Sequence, residues 1–127
     1  MAVDKAAERR TRRARRHARI ARKIRGTRER PRLVVARSLK HIEGQLVDDD
    51  RGVTLIGYST QSGAHDDIES PEGLDGKVAQ SWKAGKKLAE RARDQGIDRA
   101  VFDRAGYPYQ GRVEAFAEGA RAGGLKL

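Results

Sequence analysis

The sequence contains no cysteine, which excludes disulfides and thiolate metal sites. Aromatic residues make up only 5% of it, so a core must come mostly from Val, Leu, Ile and Ala. No apolar run approaches the roughly 20 residues that a membrane span needs. The Arg-rich N-terminus lacks the apolar segment that follows in a secretory signal. It partly fits a mitochondrial transit peptide, but it runs on into the first predicted strand without a small-residue break. Cytoplasmic residence is therefore expected. A chain of 127 residues reads as one body, and the roughly one hundred residues beyond the N-terminal arm suffice for one modest core.

Acid is nearly missing from the first forty residues. Met1 to Lys40 carry thirteen Arg and three Lys against Asp4, Glu8 and Glu29, a net +13. The rest of the chain carries twelve Lys and Arg against fifteen Asp and Glu, a net −3. The overall +10 thus belongs to an arm, and a basic arm on a near-neutral body calls for a polyanion, with nucleic acid first among candidates. Residues 4–25 are rich in Ala and Arg, both good helix formers. Ala14, Ala18 and Ala21, with Ile20 and Ile24 beside them, form a thin apolar stripe on a cationic cylinder. Like charges at i, i+3 and i+4 repel. The segment is expected to be partly disordered alone and helical once phosphates neutralise it.

Pro31 biases the preceding residue toward an extended chain, so the arm hands over to a strand. Residues 1–29 read as the basic arm and residues 30–127 as the globular domain. Leu33 to Ala36 is a short β-rich run. His41 to Asp49 alternates, with Ile42, Gly44, Leu46 and Asp48 on one face. Asp48 to Gly52 is a turn cluster, favouring solvated acids, and Val53 to Thr60 a third strand. Residues 61–75 are polar and read as a loop, the least ordered part of the body. Lys77 to Gln95 reads as a helix burying Val78, Trp82, Gly85, Leu88, Ala89 and Ala92, with Gly96 as its cap. Ala100 to Phe102 is a fourth strand. Arg112 to Ala122 is a helix with Val113, Phe116, Ala117 and Ala120 on one face. The order β-β-β-α-β-α predicts an α/β body, a mixed sheet with two packed helices.

Three constellations carry chemistry. The arm is the strongest, because each phosphate it neutralises releases counterions. Next, cations flank the first strand at Arg30, Arg32, Arg37 and Lys40, beside Ser38 and His41. Arg suits bidentate phosphate contact, a hydroxyl can bond ribose or phosphate, and an imidazole can stack on a base. The plain alternative is an edge strand whose charges resist aggregation. Third, Arg104, Tyr107, Tyr109 and Arg112 sit in a Gly-containing loop after a strand. Unpaired bases stack on such rings and guanidinium planes, although tyrosines there could equally cover the end of the core. Catalysis is not expected. Asp48, Asp49, Asp50, Asp66, Asp67 and Asp103 are enough acid for a metal-dependent nuclease, but the first strand offers only Arg32 and Arg37. A role needs convergent groups.

Four stretches, in order, resemble the bacterial form of the large-subunit ribosomal protein L-eighteen family. They are Arg28-Glu29-Arg30-Pro31-Arg32-Leu33, Arg37-Ser38-Leu39-Lys40-His41-Ile42, Phe102-Asp103-Arg104 through Gly111-Arg112-Val113, and Ala117-Glu118-Gly119-Ala120-Arg121 with Gly123-Gly124-Leu125. The resemblance covers about Arg9 to Leu127. It implies binding of 5S rRNA by body and arm, with the arm reaching 23S rRNA, in the central protuberance beside other 5S-binding proteins. By position it carries RNA contact to Arg9, Arg10, Arg12, Arg13, Arg15, Arg16, Arg19, Arg22, Lys23, Arg30, Arg32, Arg37, Ser38, Lys40, His41, Gln45, Arg104, Tyr107, Tyr109 and Arg112. It implies no small-molecule substrate and no required cofactor or metal, although RNA sites commonly hold Mg²⁺. The family often has Phe, Tyr and His where Ala36, Glu43 and Gln110 stand. Glu43 matters most, because a carboxylate facing phosphate is repelled. A general, nucleoid-type nucleic-acid binder is the rival reading. Arm charge does not separate the two, whereas the loop from Arg104 to Arg112 does.

Overall fold

The computed structural model describes residues 5–21 and 24–127, with backbone alone for 17–21. Alternation becomes structure most directly in the strand Ile42–Asp48 (β2), where Ile42, Gly44, Leu46 and Asp48 are buried and Glu43 is exposed. This is the pattern of a strand with one face on a core. Leu33 and Val35 of the strand Arg32–Arg37 (β1) point the same way. The remaining strands are Val53–Ser59 (β3) and Val101–Asp103 (β4). The sheet order is β3-β2-β1-β4, antiparallel except that β4 runs parallel to β1. This is the expected mixed sheet. Parallel neighbours need a long crossover, which passes through the helix Gly76–Asp94 (α2). One consequence governs the rest: β1 and β3 run the same way, so Arg37 and Ser59 end at one edge of the body, while β4 runs toward that edge and stops at Asp103, level with Val34.

Helix α2 and the helix Gly111–Ala122 (α3) pack together and over the core. α3 buries Val113, Phe116, Ala117 and Ala120, as its spacing predicts. α2 departs from its predicted stripe. Val78 and Trp82 are only half-buried, while Ser81 and Ala84 take inner positions. The reason is backbone-to-backbone approach. Gly85 lies on the Phe116 carbonyl and Gly119 on the Trp82 carbonyl, so a β-carbon at either would overlap an oxygen. The Trp82 main chain, rather than its ring, makes the contact. Phe116 in turn lays its ring over Gly44 of β2. Both helices end alike. Gly96 and Gly124 take positive φ, and Ile97 and Leu125 donate back to the Ala92 and Ala120 carbonyls at 2.9 and 3.1 Å. Those two residues are buried, closing a capping motif that left-handed glycine permits.

The 61–75 segment, expected to be loosest, is anchored. After a 3-10 turn at Thr60–Ser62, His65 is buried between the Tyr58 hydroxyl (2.6 Å) and the Gln80 side chain (2.7 Å). A polar loop held by one internal imidazole leaves no apolar periodicity to read. The helix Lys5–Ala21 (α1) carries the arm. Of its predicted apolar stripe, Ala14 is exposed, and the side chains of Ala18, Ile20 and Ala21 lie outside the described residues.

Gly119→Ala should lower unfolding stability by about 1–3 kcal/mol, the usual cost of overpacking. Gly57→Ala, whose methyl would meet Gln45 Cγ only at 3.6 Å, is the control and should change little. Urea titrations followed by Trp82 fluorescence compare them, and equal shifts would refute the helix-contact account.

Candidate nucleic-acid interface

Ser38 to His41 join β1 to β2 at the edge where β1 and β3 end. The turn is closed by Ser38 N–H donating to the His41 carbonyl (2.8 Å) and by His41 N–H donating to Ser38 Oγ (3.2 Å). His41 Nδ1 lies 3.0 Å from Thr60 Oγ1, just past the end of β3. Arg112, in the first turn of α3, donates to the Ser38 carbonyl (2.8 Å), and Lys77, in the first turn of α2, to the Leu39 carbonyl (2.7 Å). Leu39 itself is 80% exposed at the tip. Arg37, Ser38 and His41 line one groove, together with Glu43. His41 also lines the next recess, with Lys40, Lys77 and Arg112.

The arm docks at the same edge. Tyr107 is 7% exposed, and the guanidiniums of Arg13 and Arg37 lie 4.7 and 4.8 Å from its ring centre. Cation–π attraction favours that placement. Arg16 Nε donates to the Gly106 carbonyl at 3.0 Å. Gly106 has φ +80°, and a side chain there would strike the Arg13 carbonyl. The glycine thus admits α1 to the loop. Arg9, Arg12, Arg13, Arg16, Arg37 and Tyr107 line the recess between arm and body. Since Arg37 is shared with the turn groove and His41 with the recess beyond, the cations form one continuous band. Glu43 is the only acid on its walls among the described residues. Multiple phosphates in sequence would fit such a band.

Residues 7–127 match the family model described as ribosomal L18 of archaea, bacteria, mitochondria and chloroplast. The chain belongs to that family. It is 52% identical over 119 residues to a protein of Desulforudis audaxviator, covering 94% of this chain and 95% of the relative. It is 50% identical over 115 residues to one of Pelotomaculum thermopropionicum (91% and 92%), and 47% over 120 residues to one of Moorella thermoacetica (94% and 96%). Each of these relatives bears the name large ribosomal subunit protein uL18.

Within this member of the L18 family the predicted contact residues divide. Arg9, Arg12, Arg13, Arg16, Arg37, Ser38, Lys40, His41, Tyr107 and Arg112 converge on the band. Arg10 and Arg15 are exposed on α1, and Arg104 is exposed at the loop start. The Arg19 side chain, Arg22 and Lys23 lie outside the described residues. Arg30 stands at the far end of β1, roughly 20 Å away at strand rise. Gln45 lies mid-strand, accepting from Thr54 Oγ1 (3.4 Å). Tyr109 is 38% exposed, but its hydroxyl bonds Glu118 and Arg121 (2.9 Å each) and its ring meets Phe102. Burial, then the Glu118 bond, push its phenol above the usual value. Of the two loop tyrosines it is Tyr109 that braces α3.

Arg32 is held by the body. Its guanidinium donates to both oxygens of Asp49 (3.0 and 3.1 Å) and to Asp103 (2.8 Å), a carboxylate with 0% exposure. The hydrogen bond to Asp49 raises the arginine's pKa against the effect of burial, and lowers that of Asp49. Residues 49–52 form the expected turn, but of the acids 48–50 only Asp50 is exposed. Asp48 is buried and accepts from the Asp50 and Arg51 amides, Asp49 also accepts from Gly26 N–H, and Asp50 pairs with Arg25. Alternation on β2 placed Asp48 inward. What no spacing revealed was that Asp49 fastens the arm's root, or that Lys77 and Thr60 join the band. Topology brings Thr60 in, since it aligns the end of β3 with the end of β1, and the bond from Lys77 to the Leu39 carbonyl brings in the start of α2.

Because the Asp49 pKa is depressed on folding, its contribution is present above the ordinary carboxylate value and disappears as pH falls through the folded one. Asp49→Asn should therefore cost about 1–2 kcal/mol at pH 7, a charged hydrogen bond between partly buried groups. The gap between variant and wild type should shrink as pH drops below about 3.9. Denaturant titrations at several pH values measure it, and a gap independent of pH would refute the assignment.

Proposed function

We propose that the protein is a structural constituent of the large ribosomal subunit that binds 5S rRNA and helps attach it to 23S rRNA in the central protuberance. The observation that carries this reading is the unbroken cationic band from α1 through Arg37 and the 38–41 turn to Arg112. Family membership and the naming of the relatives as large-subunit proteins support it. In this reading the arm neutralises phosphates without reading sequence, and the rigid edge of the body selects the shape of folded RNA. Other 5S-binding proteins of the large subunit are the expected neighbours, and the protein works on the ribosome in the cytoplasm. It is not an enzyme and needs no cofactor of its own, although Mg²⁺ arrives with the RNA. Among the described residues no helix is long and apolar enough to cross a membrane.

The discriminating measurement is binding to 5S rRNA, tRNA and duplex DNA at about 50 and about 200 mM salt, the range over which phosphate-driven binding collapses. Preference for 5S rRNA should survive the higher salt. Removing residues 1–21 should weaken all three complexes together, while Arg112→Ala should reduce the 5S preference. Parallel collapse on all three nucleic acids, or equal loss for Arg112→Ala, would favour a general binder.

A further inference from the structure

Lys77 stands where a helix least favours a cation. It lies in the first turn of α2, a turn with no acid, where the helix dipole is already positive. Arg112 occupies the same place in α3, whose first-turn acid, Glu114, lines no part of the recess. Both reach the 38–41 turn, through the Leu39 and Ser38 carbonyls. One carbonyl leaves an ammonium two further donors and a guanidinium four. Lys40 is the third cation on the same wall. No carboxylate pairs with any of the three among the described residues, including Glu72 and Asp75, the acids preceding Lys77. His41 and Thr60, 3.0 Å apart, form one side, and Gln80, held by buried His65, another. The recess measures about 140 Å³, below the roughly 300–1,000 Å³ of small-molecule pockets. That size suits one tetrahedral oxyanion rather than a whole nucleotide.

We infer that Lys40, Lys77 and Arg112 together seat a single phosphodiester of an RNA backbone in the recess between the 38–41 turn and the first turns of α2 and α3. The inference rests on the RNA-binding reading above and adds Lys77 to it. Two helix N-termini and three unpaired cations repel one another until a phosphate enters. The shared anion couples Lys77 to Arg112.

The test is salt-dependent binding of the full-length protein to 5S rRNA, for wild type, Lys77→Gln, Lys77→Arg, Arg112→Gln and the double variant K77Q/R112Q. Thermal melts confirm folding, since Lys77 is exposed. Lys77→Gln should weaken binding several-fold and reduce the slope of log affinity against log salt by about one, as loss of a phosphate contact does. Lys77→Arg should restore the slope, which a merely structural role would not affect. The double variant should lose less than the product of the single losses, because both side chains hold one phosphate. An unchanged slope in Lys77→Gln, or fully multiplicative losses, would overturn the inference. If Arg112→Gln and removal of the arm weaken binding while Lys77→Gln does not, only this site fails. If none of them weakens it, the RNA-binding reading itself fails.

Discussion

The Arg32 guanidinium joins three parts of the chain that are far apart in sequence. Asp49 brings the β2–β3 turn and, through its bonds to Gly26, the root of the arm. Asp103 brings the end of β4, and its second oxygen accepts from the Ala105 amide at 2.8 Å, shaping the loop that places Tyr107. A buried charge missing one partner costs several kcal/mol, so the arrangement is stable only when complete. The position of α1 on the body and the position of Tyr107 under Arg13 and Arg37 both depend on it. An arginine that resembles a phosphate ligand in sequence is here a fastening between the β2–β3 turn, the root of the arm and the end of β4.

Charge is distributed with corresponding economy. Body acids neutralise the cations at the root of β1, as Arg25 and Arg32 show, and largely avoid the opposite edge. There the 38–41 turn, Lys77, Arg112 and the arginines of α1 gather positive charge, and among the described residues Glu43 is the one acid lining their grooves. A polyanion bound there would offset that repulsion. Gly85 and Gly119 lie against main-chain carbonyls, so α2 and α3 pack backbone to backbone.

Much of this was legible in the residues. Alternation in 42–48 set the inner face of β2, the Val113/Phe116/Ala120 spacing set that of α3, and the order of elements predicted a mixed sheet with a crossover. Where prediction missed, the cause was non-local. The stripe of α2 shifted because a neighbouring backbone, not side-chain hydropathy, selected small residues. The 61–75 segment looked loose because its anchor is one histidine bonding to groups seven and fifteen residues away. Arg32 and Arg37 look equivalent at the two ends of one strand, yet carboxylates from distant segments hold the first while an aromatic ring holds the second. Tyr107 and Tyr109 differ for the same kind of reason. No local pattern encodes which of them faces Arg13 and which faces Glu118.

The parallel pairing of β1 with β4 also sets an order in time. A chain made from its N-terminus releases α1 and β1 long before Val101–Asp103 exists. Until then Arg32 lacks Asp103, Arg37 lacks Tyr107, and the 38–41 turn lacks Arg112. The hairpins β1–β2 and β2–β3 involve only local pairing, whereas β4 must close a loop of about seventy residues, the kind of contact that forms late. The nascent protein is therefore a bare cationic segment first and a complete folded edge only when synthesis is nearly done. On the proposed RNA-binding reading, an early encounter with a polyanion would be electrostatic and reversible, and discrimination would come only with the last quarter of the chain.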